Sequence, residues 1–331
     1  MFATPDWTAA RKDLARWYRS AQRDLPWRRT PEPYPVWVSE VMLQQTRVAA
    51  ALPYYARFLQ RFPTVEALAE APEQELLSVW SGLGYYSRAR NMQKAARQVV
   101  ALGGFPRTFE GLRALAGIGG YTAAAIASIC FGLPHAVLDG NVIRVMARLL
   151  ADPGDVASLA TRRRLAAAAQ EFLHRRHPGE HNQAIMELGA LVCLPREPDC
   201  PRCPLRPYCH AHAEGRTREF PVRLRRQEKV EVALTVFVVE RSGKLLLWQR
   251  PAGGGRMAGF WELPSADSLP GAGAHEVLRR FRHTITHQVH DVCVRRASIA
   301  RAPRGFTWVA LARLREMPLS TIARKALGER P

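Results

Sequence analysis

The sequence predicts a mainly α-helical domain followed by a small α+β domain. Three observations carry that prediction. Apolar residues recur at helical spacing through the first two thirds of the 331 residues. After residue 230, short alternating runs of β-forming residues replace that pattern. Between the two regimes, residues 218–229 (REFPVRLRRQEK) hold seven charged side chains and a proline, as an exposed linker does.

Along the chain, helical spacing marks Val38 to Phe62, Gln74 to Trp80, Ala89 to Leu102, Thr122 to Phe131, Asn141 to Leu150 and Thr161 to His174. Breakers part them at Pro63, Gly82 with Gly84, Gly103-Gly104, Gly117 to Gly120, Pro134 and Pro153-Gly154. The Ala-rich run Leu165 to Ala169 is a good helix former rather than low complexity. Strands are expected over Val232 to Glu240, Lys244 to Arg250, Val289 to Arg295 and Phe306 to Ala310. Two short helices, Ala274 to Phe281 and Ser320 to Leu327, complete the second domain. The expected division is 1–217, a linker at 218–230, and 231–331.

Lys and Arg number 48 against 29 Asp and Glu, a net charge of +19. Such an excess attracts polyanions by neutralising phosphates and releasing their counterions. A solvated Arg-rich surface is the plainer account of the same charge. No run approaches the ~18 apolar residues of a membrane span, and Met1 to Trp7 lacks a signal peptide's pattern. The expectation is a cytoplasmic chain with no membrane partner.

Cys193, Cys200, Cys203 and Cys209 follow C-x6-C-x2-C-x5-C, with prolines at 195, 198, 201, 204 and 207 stiffening the loop. In a reducing compartment this crowding points to metal rather than disulfides. Four thiolates suit zinc or an iron–sulfur cluster, and spacing alone leaves the two open.

Leu115 to Ile126 reads LAGIGGYTAAAI, with glycines at 117, 119 and 120 that permit positive φ and close backbone approach. The helix that follows begins with free N–H groups, which suit a phosphate. A lone turn between helices explains a bare G-x-G. The basic charge and the residues downstream favour a helix-hairpin-helix DNA-binding element. Asp139, in LDGNV (138–142), reads as a helix N-cap, whose N–H bonds favour an ionised carboxylate. Glu40 follows Ser39 in WVSEVMLQQT (37–46), and a first-turn acidic residue capped by Ser39 explains it without function. Its apolar neighbours equally suit a carboxyl that keeps its proton near neutrality.

The cysteine spacing at the end of a basic helical domain resembles the endonuclease III superfamily of DNA glycosylases. That resemblance implies a [4Fe–4S] cluster on the four cysteines. The runs LPWR (25–28), SEVMLQQTRV (39–48), GLGYYSRARN (82–91) and LDGNV (138–142), with the cysteine loop, resemble the MutY adenine DNA glycosylases over nearly the whole chain. The resemblance implies that Glu40 is the general acid/base protonating adenine. It makes Asp139 the carboxylate that steadies the oxocarbenium ion or adds to it. Strand-cutting relatives have a lysine where Tyr121 stands, so base removal without strong strand cleavage is expected. Tyr121 and Asn141 would support the intermediate, a packing role being the alternative for the tyrosine. Trp27, Arg28 and Gln183 match pocket positions around a flipped adenine. Gln45 and Tyr85 match side chains that enter the duplex, Arg88 and Arg90 match phosphate contacts, and Gly117 and Gly119 belong to the hairpin.

In the second domain, GFWELP (259–264) and FRHTITH (281–287) resemble landmarks of the family's Nudix-like domain. No R-E-x-x-E-E cluster occurs, so the resemblance implies a module reading the base opposite adenine rather than a second enzyme. Where the family carries Phe-Ser-His, this chain has Ile285-Thr286-His287. Threonine keeps the hydroxyl and adds a methyl. The partner expected is duplex DNA with A:8-oxoguanine or A:G mispairs, bound by a monomer on the DNA of a bacterial nucleoid.

Overall fold

The computed structural model describes residues 7–224, 229–251, 257–269, 272–285 and 287–328. Helices in chain order are α1 (Trp7–Ala21), α2 (Pro26–Arg29), α3 (Pro33–Met42), α4 (Val48–Arg61), α5 (Val65–Glu70), α6 (Glu73–Trp80) and α7 (Ser87–Ala101). They continue with α8 (Phe109–Arg113), α9 (Gly120–Phe131), α10 (Gly140–Leu149), α11 (Leu159–Phe172), α12 (Pro178–Leu191), α13 (His210–Ala213) and α14 (Thr321–Leu327). Strands are β1 (Val230–Val238), β2 (Glu240–Arg241), β3 (Lys244–Gln249), β4 (Trp261–Glu262), β5 (Gly273–Ile285), β6 (Gln288–Ser298) and β7 (Phe306–Ala310). Two compact units result, 1–45 with 94–226 and 46–93 with 227–331.

The first unit is helical and is built around α9, whose residues Thr122 to Ser128 are all buried. A helix apolar on every side must sit inside. Against it pack single faces of its neighbours: Ala10, Leu14 and Tyr18 of α1, Val142, Val145, Met146 and Leu149 of α10, Leu165, Ala169 and Phe172 of α11, and Ala184, Ile185 and Leu188 of α12. Spacings of three and four residues put each set on one stripe. Thr108, Ser158 and Asp139 cap α8, α11 and α10 through their side-chain oxygens.

The second unit combines α4 to α6 with two sheets. One has the order β1-β6-β5, and β1 runs parallel to β6. The other has the order β2-β3-β4, with β7 also paired to β3. Successive residues point to opposite faces, and both faces are covered. Val236, Val238, Leu245 and Leu247 join Ala323, Ala326 and Leu327 of α14 in one core, while Phe237, Val239 and Leu246 join Leu269 and Ala297 in another. This is why these strands read as continuous apolar runs.

Three expectations need correction. The helical stretch from Val38 to Phe62 is two helices, because Gln45 takes a left-handed φ of 61° between α3 and α4. Ala274 to Phe281 is not helical but lies within β5, antiparallel to β6. Register shifts between Ala274 and Arg279 break the period of two that would have marked it as a strand. The expected exposed linker begins with a buried anchor: Phe220 packs with Ala151 and Ala211, and the Val156 N–H donates to the Val222 carbonyl at 3.0 Å. Residues 225–228 lie outside the described residues.

Leu246 is fully buried. Leu246→Ala is expected to cost about 2–5 kcal/mol of stability, read by chemical denaturation, because a sheet covered on both faces cannot collapse into the cavity.

Candidate active site

Because α3 starts at Pro33, Glu40 sits in its last turn, not its first. Ser39 does not cap: its hydroxyl donates to the Val36 carbonyl at 2.7 Å. A carboxylate near a helix C-terminus is opposed by the helix dipole, so the dipole explanation of Glu40 fails. Glu40 is buried, and burial pushes its pKa up to about 7. The Tyr121 hydrogen bond pulls against this, the neighbouring Asp139 charge adds to it, and Arg28 opposes it. The Tyr121 hydroxyl donates to Glu40 Oε2 and also lies 3.3 Å from Met186 Sδ. Burial raises the Tyr121 phenol well above its ordinary range, so it stays a proton donor in that bond.

Asp139 caps α10 by accepting from the Val142 N–H at 2.7 Å, and Asn141 Nδ2 donates to its other oxygen at 2.9 Å. These bonds favour the ionised form, yet burial outweighs them and the net direction is upward. The expectation of a purely bond-stabilised carboxylate is corrected to that extent. Arg144 Nη2 donates to Asn141 Oδ1 at 2.8 Å and to the Gly189 carbonyl at 2.7 Å, fixing the amide's orientation. A Cβ on Gly189 would lie 2.6 Å from that of Asn141, so the glycine lets α12 approach α10 closely.

Arg28 of α2 is held by a residue the sequence did not single out. Glu187 on α12 is buried and accepts from Arg28 Nη2 at 2.8 Å and from Arg23 Nη2 at 2.7 Å. Burial pushes its pKa up, but the arginine hydrogen bonds prevail and bring it down to about 2. Tyr18 lies under Arg28, 5.6 Å from guanidinium carbon to ring centre, and its hydroxyl donates to Gln183 Oε1 at 3.4 Å. Glu187 and Arg23 are 164 residues apart. No local pattern announces such a pair.

Of the hairpin glycines only Gly117 has positive φ, 73°. Gly119 is the extended N-cap of α9 and Gly120 its first residue. A Cβ on either would meet nothing within 4 Å, so the helix start presents bare backbone to open space. Gln45 lies within a stretch expected to be helical, and Tyr85 follows the breakers Gly82 and Gly84. Both occupy left-handed backbone, with φ of 61° and 49°, and both are exposed. Non-glycine residues hold that conformation only where their surroundings impose it. Arg88 is turned inward, donating from Nη2 to the Leu83 and Gly84 carbonyls at 3.2 Å, and burial lowers its pKa to about 10. Arg90 pairs with Glu73 and donates to the Ala258 carbonyl. Both guanidinium groups are thus engaged within the protein. His287 is exposed in the β5–β6 turn, and Thr286 lies outside the described residues.

The four cysteines line one cavity of ≈ 30 Å³ together with Arg148 and Thr217. Burial pushes Cys203 up to about 12 and Cys209 up to about 11, and backbone N–H groups of Leu205 and His212 oppose it. The buried Arg148 donates to Cys193 Sγ at 3.2 Å and to the carbonyls of Leu194, Pro195, Thr217 and Phe220. N–H donors aimed at sulfur and four soft donors lining one cavity are the chemistry a thiolate-held group needs. Among the described residues, no three His, Cys, Asp or Glu side chains are gathered so as to hold a metal ion.

A buried and a half-buried carboxyl group share this helical unit with the glycine hairpin, and comparison with known proteins places the chain in a class. Residues 38–173 match the HhH-GPD superfamily of base excision DNA repair proteins, and residues 235–329 match the NUDIX domain. The chain is 41% identical over 335 residues to the adenine DNA glycosylase of Rattus norvegicus, covering 84% of this chain and 64% of that one. It is 36% identical to that of Mus musculus, covering 97% of this chain and 77% of that one. The chain therefore belongs to the adenine DNA glycosylase family. A thermostable thymine-DNA glycosylase structure shares the helical fold at 26% identity, with a TM-score of 0.57 over 63% of this chain and 97% of that one.

Two outcomes test this geometry. Glu40 has a folded pKa near 7 against an ordinary 4.5, so the folded state holds its proton longer than the unfolded chain. Wild-type stability relative to Glu40→Gln should be full below pH 4.5 and fall by the order of 3 kcal/mol as pH rises to about 7. Denaturation across that range reads it. Gly189→Ala should cost about 1–3 kcal/mol through overpacking and slow any reaction that depends on Asn141.

Proposed function

We propose that this chain is a monofunctional DNA glycosylase that removes adenine mispaired with 8-oxoguanine or guanine. The observation that carries the reading is the pair of carboxyl groups, the buried Glu40 with its pKa near 7 and the half-buried Asp139 held by Val142 and Asn141. Breaking an N-glycosidic bond needs a proton on the departing base and a negative group near C1′ of the sugar. Glu40 supplies the proton as the C1′–N9 bond breaks, and adenine leaves with it. Asp139 steadies the positive sugar. Water then adds at C1′, and its proton returns to the ionised Glu40, which Tyr121 stabilises by its hydrogen bond. Tyr121 offers no amine for a Schiff base, hence base removal without strand cleavage.

Trp27, Arg28 and Gln183 bound the pocket for the extruded base, with Glu187 holding Arg28 in place. Gln45 and Tyr85 are the side chains that enter the helix, their strained backbone aiming them outward. Gly117 and Gly119, with the bare start of α9, receive a backbone phosphate. Cys193, Cys200, Cys203 and Cys209 hold a [4Fe–4S] cluster, which when bound ionises the thiols and pins the loop. Residues 1–217 form the catalytic domain, 218–230 connect, and 231–331 inspect the opposite base through Thr286 and His287. The protein acts as a monomer on nucleoid DNA in the cytoplasm.

Single-turnover assays on A:8-oxoguanine, A:G and T:G duplexes test the substrate. Adenine release fastest opposite 8-oxoguanine is expected, and thymine release would overturn the reading. Glu40→Gln should lose about 10²–10⁴-fold in rate while still binding DNA. Rates should fall as pH rises through 7, the value to which Glu40 is raised. Cys200→Ser should lose the brown visible absorbance of the purified protein.

A further inference from the structure

Tyr85 is exposed on a turn, residues 81–86, that is tied down by its neighbours. Its own carbonyl accepts from the Arg88 N–H at 2.8 Å, and the Arg88 guanidinium lies 5.5 Å from its ring centre. Trp80 Nε1 donates to the Gly84 carbonyl at 3.1 Å, and Arg88 reaches the Leu83 and Gly84 carbonyls. These contacts are local. Three further ones come from sequence more than 150 residues away, within the same compact unit. Tyr86 is buried, and its ring lies 3.8 Å, centroid to centroid, from that of the fully buried Phe260. Ser81 is buried and its hydroxyl donates to the Leu319 carbonyl at 3.3 Å. Arg90 donates to the Ala258 carbonyl while its Nε holds Glu73 at 2.7 Å.

The segment beneath the turn is itself fixed. The Gly259 N–H donates to the Arg250 carbonyl at 3.0 Å, and the Arg250 N–H donates to the Phe260 carbonyl at 2.9 Å. Trp261 is held by the Pro318 carbonyl at 2.9 Å, and its own carbonyl accepts from the Ser320 N–H at 3.1 Å. Phe260 is therefore a rigid footing and Tyr86 stands on it. Tyr85 and Tyr86 are adjacent, and Tyr85 holds a left-handed φ of 49° that an unsupported turn would relax.

We propose that Phe260 is a positioning residue: it braces the 81–86 turn through Tyr86 and thereby aims Tyr85 at the duplex. The Nudix domain then acts on the wedge through packing, in addition to any contact with the opposite base. This rests on the reading of Tyr85 as the side chain that enters DNA, but the brace itself is measurable without DNA.

Amide hydrogen exchange on the full-length protein is the first measurement. In Phe260→Ala, exchange at residues 82–88 should rise about tenfold or more while α9, α10 and α12 stay protected. Phe260→Leu, which keeps the apolar volume, should restore most of the protection. Unchanged exchange at 82–88 in the Ala variant overturns the brace whatever the enzyme does to DNA. Should that variant not fold, Arg90→Gln cuts the Ala258 anchor and is judged by the same criterion. The second measurement is single-turnover adenine release from an A:8-oxoguanine duplex. Phe260→Ala should slow it about tenfold, and adding Tyr85→Ala should cost nothing more, since both remove one wedge. Losses that multiply overturn the coupling. A wild-type protein that releases no adenine overturns the functional reading instead and leaves the exchange result standing.

Discussion

Burial of the Glu40 carboxyl is the constraint on which the site depends. A carboxyl taken out of water keeps its proton unless something repays the lost hydration. Here the repayment is partial: one phenol bonds to it and one guanidinium acts on it, while Asp139 nearby makes a second negative charge costly. The result is a group near pKa 7. Asp139 is half-buried, and it has a helix N-terminus and an amide to receive its charge. Two carboxyl groups in one unit thus meet different surroundings, one bonded by a phenol and the other by a backbone N–H and an amide.

Around that pair, other buried charges serve as rigid fixtures. Glu187 is held ionised by Arg23 and Arg28, and the triad ties α2 to α12. Removing one partner of such a buried network strands the others, so its geometry is held tightly. Arg148 does the same for the cysteine loop, donating to carbonyls of four residues and to one thiol. Left-handed non-glycine backbone also occurs away from this framework. Gln45 and Tyr85 carry left-handed backbone on exposed turns, where strained conformations are associated with function.

Several parts of this were legible from local pattern. The periodic stripes of α10 and α11, the cysteine spacing, the Asp139 cap and the change to β structure after residue 230 are all properties of short windows. Errors arose where the deciding interaction was not local. Ala274 to Phe281 read as a helix because β-bulges against β6 interrupt its alternation. The turn at Gln45 was hidden inside an apolar run, since nothing in its side chain announces a left-handed φ. Phe220 looked like part of a charged linker, and its burial depends on Ala151 and Ala211.

The sequence by itself therefore determined two architectural regimes, a four-thiol loop and two candidate carboxyl groups, because each depends on residue type and spacing. Only the tertiary structure decided which partners surround each of those groups. Where α3 begins removes the dipole explanation of Glu40, and the packing of α9, α10 and α12 supplies Tyr121, Asn141 and the close approach at Gly189. Those partners come from up to 81 residues away, the separation of Glu40 and Tyr121. Desolvation and long-range hydrogen bonding exist only once the chain has closed on itself, and they are what gives two acidic residues such different surroundings.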